Sequence, residues 1–383
     1  MRISSRAAAL LMGLIVVLAA CGGTGTSSDT PTGSTAGSAA ESAAAGFDLS
    51  RTTEGPNGET STAAADVPEL TDEQVAEIQD GAYKIAFLHA GTSTWFSAME
   101  EGASAEAERL GMEIVITTDS QFDPAKQASD VETAMAADPD IILTLPVDPV
   151  SAGEAFQPAV DAGVKLVFVD NGIDGYTAGD QYVSIVTGDH FGMGRAAADL
   201  MVEALGEEGG KIGYIFHDAD FYVTNNRDEY FKAVIEQEHP EIEIVAEAGM
   251  TSEAATEEIA SAMLTQHPDL NGIYVTWNAA ATGVFAALRA AGNTDVKVVT
   301  HDLDATNDLD MAQGGNLYGV AADQPYLEGQ IMLRLAALSL LGEETPAFVT
   351  VPVVTETRDN MQEAWQESLG QDPPQEILDA LGE

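Results

Sequence analysis

The sequence predicts an α/β protein built as two similar lobes, each a parallel sheet with helices on both faces. Three observations predict it. From Tyr83 onward, short β-rich runs alternate with amphipathic stretches of helical spacing. Residues 82–357, about 275 in all, hold more strand-helix units than one open sheet carries comfortably. The residues just after the runs are repeatedly polar or aromatic, as expected where the carboxyl ends of parallel strands face a ligand crevice.

Taken in order, the strand runs are "YKIAFLHA", "MEIVITT", "DIILTLP", "VKLVFVD", "YVSIVTG", "GKIGYIFH", "EIEIVAE", "GIYVTW", "VKVVTHD" and "LYGVAA". Between them lie the helical segments "DPAKQASDVETAMAA", "DPVSAGEAFQPAVDAG", "FGMGRAAADLMVEAL", "NRDEYFKAVIEQ", "SEAATEEIASAMLTQH" and "NAAATGVFAALRAAG", several opening on Asp, Ser or Asn and closing near Gly. Strand and helix alternate along the chain, so parallel sheets flanked by helices on both faces are the natural architecture. In "AGTSTWFSAMEEGASAEAERLG", Phe96, Met99, Ala103 and Leu110 form a helical core stripe, and Trp95 falls off it. No short fixed period recurs, so a solenoid is not expected.

Composition narrows the function. With 63 Asp+Glu against 15 Lys+Arg in 383 residues, the formal net charge is −48. Such a chain repels phosphate backbones and anionic lipid surfaces, so nucleic acid is excluded as a partner. The acidity reads as a solvated surface, not as the function itself. The lone cysteine, Cys21, cannot form a disulfide within the chain and ends "MRISSRAAALLMGLIVVLAAC", where Arg2 and Arg6 precede a short apolar run. That is the layout of an export signal, too short for a comfortable membrane span. Its last four residues, Leu18 to Cys21, resemble a bacterial lipobox, which implies lipidation of Cys21. Residues 22–66 are rich in Gly, Ser, Thr and Ala and read as a flexible tether with a reach of about 35–40 Å. "VPELTDEQVAEIQDG" reads as a helical lead-in.

The polar residues after the runs converge on one edge of the sheets. Thr92, Ser93, Thr94 and Trp95 follow the first; Asp119 and Ser120 the second; Asp148 the third; Asp170 and Asn171 the fourth. Asp189 and His190, His217 and Asp218, Trp277 and Asn278, and His301 and Asp302 take equivalent places further on. Carboxylates and amides beside indole faces suit a neutral polyhydroxylated ligand, the acids accepting hydroxyl protons and the rings covering its C–H face. Each acid or amide alone could equally be a helix cap.

Other chemistries fail on spacing. "DLDATNDLD" begins like a calcium loop, but Asn307 replaces the turn glycine and Gln313 the closing glutamate. The six histidines include no His-x-x-x-His pair, "GDHFGMGRA" has neither nucleotide-binding glycine spacing, and no Gly-x-Ser-x-Gly elbow exists. No metal, cofactor or catalytic activity is expected.

The signal, the tether, "KIAFLHAGTSTWFSAMEEGASAEAERLG", "ILTLPVDPVSAGEAFQPAVDAGVKLVFVDN", "LTQHPDLNGIYVTWNAAATGVFAALRAAG" and "VKVVTHDLD" together resemble the ribose-type sugar-binding proteins of ABC importers, the type I periplasmic binding proteins. The resemblance implies two Rossmann-like lobes joined by three crossings and closing on a sugar by hinge motion. It implies a first lobe of 82–188 with 324–350 and a second of 189–323 with 351–357, which the signal over 1–21 and the tether and lead-in over 22–81 precede, and residues 358–383, polar, read as a surface tail packing on the body. Residue by residue, Ser93, Trp95 and Phe96 match the polar-then-aromatic set after the first strand, with Trp95 and Phe96 as a stacking wall. Asp170 matches the ligand-binding aspartate of the first lobe, Asp302 that of the second, and Asp323 the polar residue of the last hinge.

Departures bear on the ligand. Asn171 stands where ribose-type binders carry an arginine, Asn225 replaces a second ligand arginine with Arg227 two positions on, and Trp277 replaces a frequent asparagine. Long cationic donors give way to aromatic area, which argues against ribose itself, and a hexose, another pentose or a polyol fits the site. The implied partners are a permease with its cytoplasmic ATPase, and the membrane through the lipid anchor only, with a monomeric receptor outside the cytoplasmic membrane. The alternative is a receptor for a nucleoside, an amino acid or another small solute on the same fold. An exported enzyme would need a carboxylate pair whose separation no sequence gives, and a sugar-responsive repressor would need a DNA-binding headpiece where this chain has an export signal.

Overall fold

In the computed structural model, which describes residues 47–219 and 221–382, the strand runs condense into two sheets. Cys21, the expected export signal and residues 22–46 of the expected tether lie outside the described residues. The first part of the chain runs β1 (Thr62–Ala63), α1 (Asp72–Gly81), β2 (Lys84–His89), α2 (Thr94–Leu110), β3 (Glu113–Asp119), α3 (Pro124–Ala136), β4 (Ile141–Thr144), α4 (Ala152–Ala162), β5 (Lys165–Val169) and β6 (Ser184–Gly188). The second runs α5 (His190–Leu205), β7 (Gly210–His217), α6 (Tyr222–Glu238), β8 (Ile242–Met250), α7 (Thr256–Gln266), β9 (Gly272–Val275), α8 (Asn278–Ala291), β10 (Lys297–His301), α9 (Ala305–Ala312) and β11 (Leu317–Ala322). The chain then returns through α10 (Pro325–Leu340) and β12 (Phe348–Val351), and ends with β13 (Val354–Thr357), α11 (Met361–Leu369) and α12 (Gln375–Leu381).

Every residue of β4 and β6 is buried, because helices cover both faces of the sheet, whereas the edge strands β3 and β8 keep partly exposed residues. The first sheet has the order β1-β12-β6-β5-β4-β2-β3 and is parallel throughout. The second, β13-β11-β10-β9-β7-β8, is parallel except for antiparallel β13 on β11. This is the α/β architecture expected from the alternation. Both β1 and β12, too short for a periodic signal, lie outside the runs identified from sequence.

Strand membership makes the chain pass between lobes three times: from β6 to α5, from β11 to α10, and from β12 to β13. Two crossings nearly touch at Gly188, where a Cβ would come within 2.8 Å of the Asp323 Cβ, so only glycine lets these backbones approach. α10 is fixed to the first lobe by a similar device. A Cβ on Gly102 of α2 would meet the Tyr326 carbonyl at 1.9 Å, and one on Gly329 of α10 would meet the Met99 carbonyl at 2.0 Å. The two helices therefore pack backbone to backbone.

The terminal segments differ from their reading as tether and tail. Residues 47–66 are built onto the body: Phe47 packs edge-on against Phe191 and Tyr230, Tyr230 donates to the Leu49 carbonyl at 2.7 Å, and β1 extends the first sheet. Small polar residues gave no hydrophobic period here, and the order comes instead from one aromatic anchor and main-chain hydrogen bonds. The C-terminal segment is two helices whose Met361, Trp365, Leu369 and Ile377 are buried in the second lobe's core. The Trp365 indole donates to Asp308 Oδ2 at 3.2 Å.

Candidate functional site

The carboxyl ends of both sheets open on one crevice of about 1010 Å³, lined from both lobes. On the first lobe, Ser93 caps α2 by accepting from the Phe96 amide at 3.4 Å, which turns Trp95 and Phe96 toward the opening. Trp95 and Phe96 meet edge to face, 4.9 Å apart and 87° between planes. Only one of them can therefore stack flat on a ring ligand. Trp95 is also tied down, its Nε1 donating to both oxygens of Asp323 at 3.0 and 3.1 Å.

Asp170 follows β5 and Asp302 follows β10, equivalent places in the two lobes, and both adopt left-handed backbone, φ 61° and 66°. A side-chain-bearing residue there is costly unless the surroundings enforce it, and such outliers concentrate at ligand clamps. Asp170 accepts from Thr187 Oγ1 at 2.7 Å, and Asp302 faces Arg227, Nη1 and Nη2 each 3.4 Å from one carboxylate oxygen. Burial pushes the Asp170 carboxyl up to about 6, partly offset by Thr187 and Arg227. Burial pushes Asp323 well above the usual carboxylate range, with Asp302 and Asp170 adding repulsion. The floor thus gathers the carboxyls of Asp170, Asp302 and Asp323 around the Arg227 guanidinium.

On the second lobe Trp277 closes the opposite side, its Nε1 donating to Glu253 Oε1 at 2.8 Å and its ring edge-on to His217 at 4.9 Å. Burial, with Arg227 nearby, keeps His217 below its ordinary value, so it presents a neutral imidazole at pH 7. Asn171 lines the crevice too but is buried, donating to the Pro146 carbonyl at 3.1 Å. This suits an amide that shapes the loop after Asp170.

Of the nine residues singled out as ligand-binding, Ser93, Trp95, Phe96, Asp170, Asn171, Trp277, Asp302 and Asp323 line this crevice. Asn225 does not. It lies in a separate groove with Tyr214, Phe216 and Glu229. Two residues along a helix is a turn of about 200°, so Arg227 takes the inward position, donating to the Thr276 carbonyl at 2.7 Å. Other polar residues at strand ends divide: Asp189 caps α5 and His301 is buried between Tyr274 and the Ala321 carbonyl, whereas Asp148, which accepts from the Val150 and Ser151 amides, lines the crevice. Among the described residues no group of three or more His, Cys, Asp or Glu side chains is placed to hold a metal ion. Sequence reasoning missed Tyr222 and Phe122, and also Pro56 and Asn57 of the N-terminal segment. The "EGPNG" turn was the available signal for the last two.

Residues 85–344 match the family model described as a periplasmic binding protein domain. The chain belongs to the periplasmic binding protein family. Among relatives of this binding protein, the ribose import binding protein RbsB of Salmonella typhimurium is 28% identical over 254 residues, 66% of this chain and 83% of that one. A D-apiose import binding protein of Actinobacillus succinogenes is 30% identical over 241 residues, 62% of this chain and 74% of that one. A solved ABC transporter solute-binding protein of Mycobacterium smegmatis, with bound glycerol, superposes with a TM-score of 0.64 at 29% identity, covering 76% of this chain and 99% of that one. The crevice of this binding protein thus sits where its fold holds ligands, between the lobes at the strands' carboxyl ends.

Proposed function

We propose that this chain is the receptor of an ABC importer, capturing a sugar or polyol in the crevice and delivering it to a permease driven by a cytoplasmic ATPase. The observation that carries the reading is the pair Asp170 and Asp302, held in matching left-handed conformations on the two lobes and flanked by Trp95 and Trp277. Two opposed carboxylates accept hydroxyl protons from both sides of one ring, and the indoles cover its C–H surface, so closure of the hinge is driven by contacts only a bound ligand completes. Asn171 and Trp277, in place of long cationic or amide donors, favour a hexose, a pentose other than ribose or a polyol. In this reading Cys21 carries the lipid, the receptor stays outside the cytoplasmic membrane as a monomer, and no bond in the ligand is broken.

The test is a thermal-shift screen of the mature protein against pentoses, hexoses, polyols, nucleosides and amino acids. A ligand at 100 times its Kd stabilises the native state by about 2.7 kcal/mol, which moves the midpoint by several degrees. A shift with a sugar or polyol supports the reading. A response only to a nucleoside or an amino acid keeps the receptor role and replaces the ligand class. The lipid is checked by mass spectrometry of the mature N-terminus, where an unmodified Cys21 would end that part of the reading.

A further inference from the structure

The N-terminal segment lies before the part matched by the family model, which begins at residue 85, yet it touches both lobes at the crevice. On the second lobe Thr53 donates to Asp189 Oδ1 at 2.5 Å and accepts from the Phe191 amide at 3.2 Å, and the Tyr222 hydroxyl donates to the Glu54 carbonyl. The chain then turns in a tight hairpin, with Glu54 bridged to Thr60 and the Gly55 amide donating to the Glu59 carbonyl at 2.8 Å. It leaves on the first lobe, where Tyr182 donates to Glu59 Oε1 at 3.0 Å and β1 pairs with β12. The segment therefore adds a fourth tie to the three chain crossings.

The tip of the hairpin is placed for contact with a ligand. Pro56 lies over Gly172, where a Cβ would meet its Cγ at 3.2 Å, so the tip rests on the loop that carries Asp170. Asn57 beside it is held by its own bonds to Glu59, the backbone amide at 2.9 Å and Nδ2 at 3.0 Å. Both residues line the crevice. An amide offers a donor and an acceptor to a hydroxylated solute, and proline a rigid apolar edge. We propose that the hairpin over residues 54–60 is a wall of the binding site, and that Asn57 and Pro56 help decide which solute is retained. This inference rests on the sugar or polyol reading of the crevice.

The experiment measures Kd by calorimetry for D-ribose, D-apiose, D-allose, D-arabinose and myo-inositol, with amide exchange of the wild-type protein with and without the tightest of them. Asn57→Ala removes the contact. Tyr182→Phe loosens the hairpin from a buried position outside the crevice lining. Each variant is expected to weaken the tightest ligand by about three- to tenfold, the worth of one hydrogen bond, and to change the order of the panel. Ligand is expected to slow exchange across residues 54–60. A ligand that binds the wild type with unchanged exchange there, and binds Asn57→Ala within about twofold, overturns the inference while leaving the receptor reading standing. Absence of binding by any member to the wild type overturns the inference together with the sugar or polyol reading on which it rests.

Discussion

Trp95 does two jobs that one substitution can separate. Its face is offered to the crevice and its Nε1 holds Asp323 at the second crossing. Trp95→Phe keeps an aromatic face and loses the tie, whereas Trp95→Ala loses both. We expect the alanine variant to bind ligand roughly 5- to 150-fold more weakly, about 1–3 kcal/mol, and the phenylalanine variant to fall between it and wild type. Asp302→Asn, which keeps shape but surrenders the charge facing Arg227, belongs in the same range, and calorimetric titration measures all three. Asp170 gives the site a pH dependence. Its folded-state value of about 6 lies above the ordinary carboxylate value, so the folded protein holds more protons than the unfolded one between roughly pH 4 and 6. Its contribution to the stability of the ligand-free protein is fully present below that window and is lost as pH rises through about 6. The ionised form is the better acceptor of a ligand hydroxyl, so affinity should increase from pH 5 to pH 7.5. A flat profile over that range would contradict a ligand bond to Asp170. The composition of the post-strand positions made Trp95, Asp170 and Asp302 legible from sequence. The pairing of Trp95 with Asp323, 228 positions apart, was not.

Single helices decide which neighbouring side chain reaches the ligand. On α6, Arg227 faces the crevice and Asn225 the outer groove. Replacing Asn225 with Ala should leave ligand affinity within about twofold, since a surface change away from the site is nearly neutral, whereas Arg227→Met should weaken it and leave Asp302 without its partner. The opposite ranking in a titration would restore Asn225 to the site. The period of α6 was readable, but its phase was set by which face packs on the sheet, and matching residues by position alone chose the wrong one. The contact between α2 and α10 is tight because glycine sits on both sides. Gly329→Ala forces a Cβ against the Met99 carbonyl and should cost about 1–3 kcal/mol in urea unfolding. Since α10 starts just beyond Asp323, the same variant should also loosen the Trp95 tie and weaken ligand binding.

At the scale of the molecule, two sheets meet at three chain crossings, the backbones at two of them separated only by Gly188. Ligand contacts are divided between the lobes, Asp170 and Trp95 on one side, Asp302, Arg227 and Trp277 on the other. A ligand gains all of them only if the lobes approach, so binding should reduce the radius of gyration in X-ray scattering. An identical scattering profile with saturating ligand would show a rigid receptor. The N-terminal segment bears on this motion because it is bonded to both lobes.

By itself the sequence determined the fold class, the order of the longer strands and helices, and the strand-end residues Ser93, Trp95, Asp170, Trp277 and Asp302 that line the crevice. Alternation of buried strands with amphipathic helices admits few architectures, and strand ends in parallel sheets share one edge. Only the tertiary structure decided the phase of α6, the burial of Asn171 beneath the crevice surface, and the role of residues 47–66. These depend on contacts between residues far apart in the chain, whose local composition is the same whether or not the contacts form. The "EGPNG" stretch is the clearest case: it reads as one more turn in a polar run, and becomes a wall of the crevice only because Tyr182 and Tyr222 hold it there.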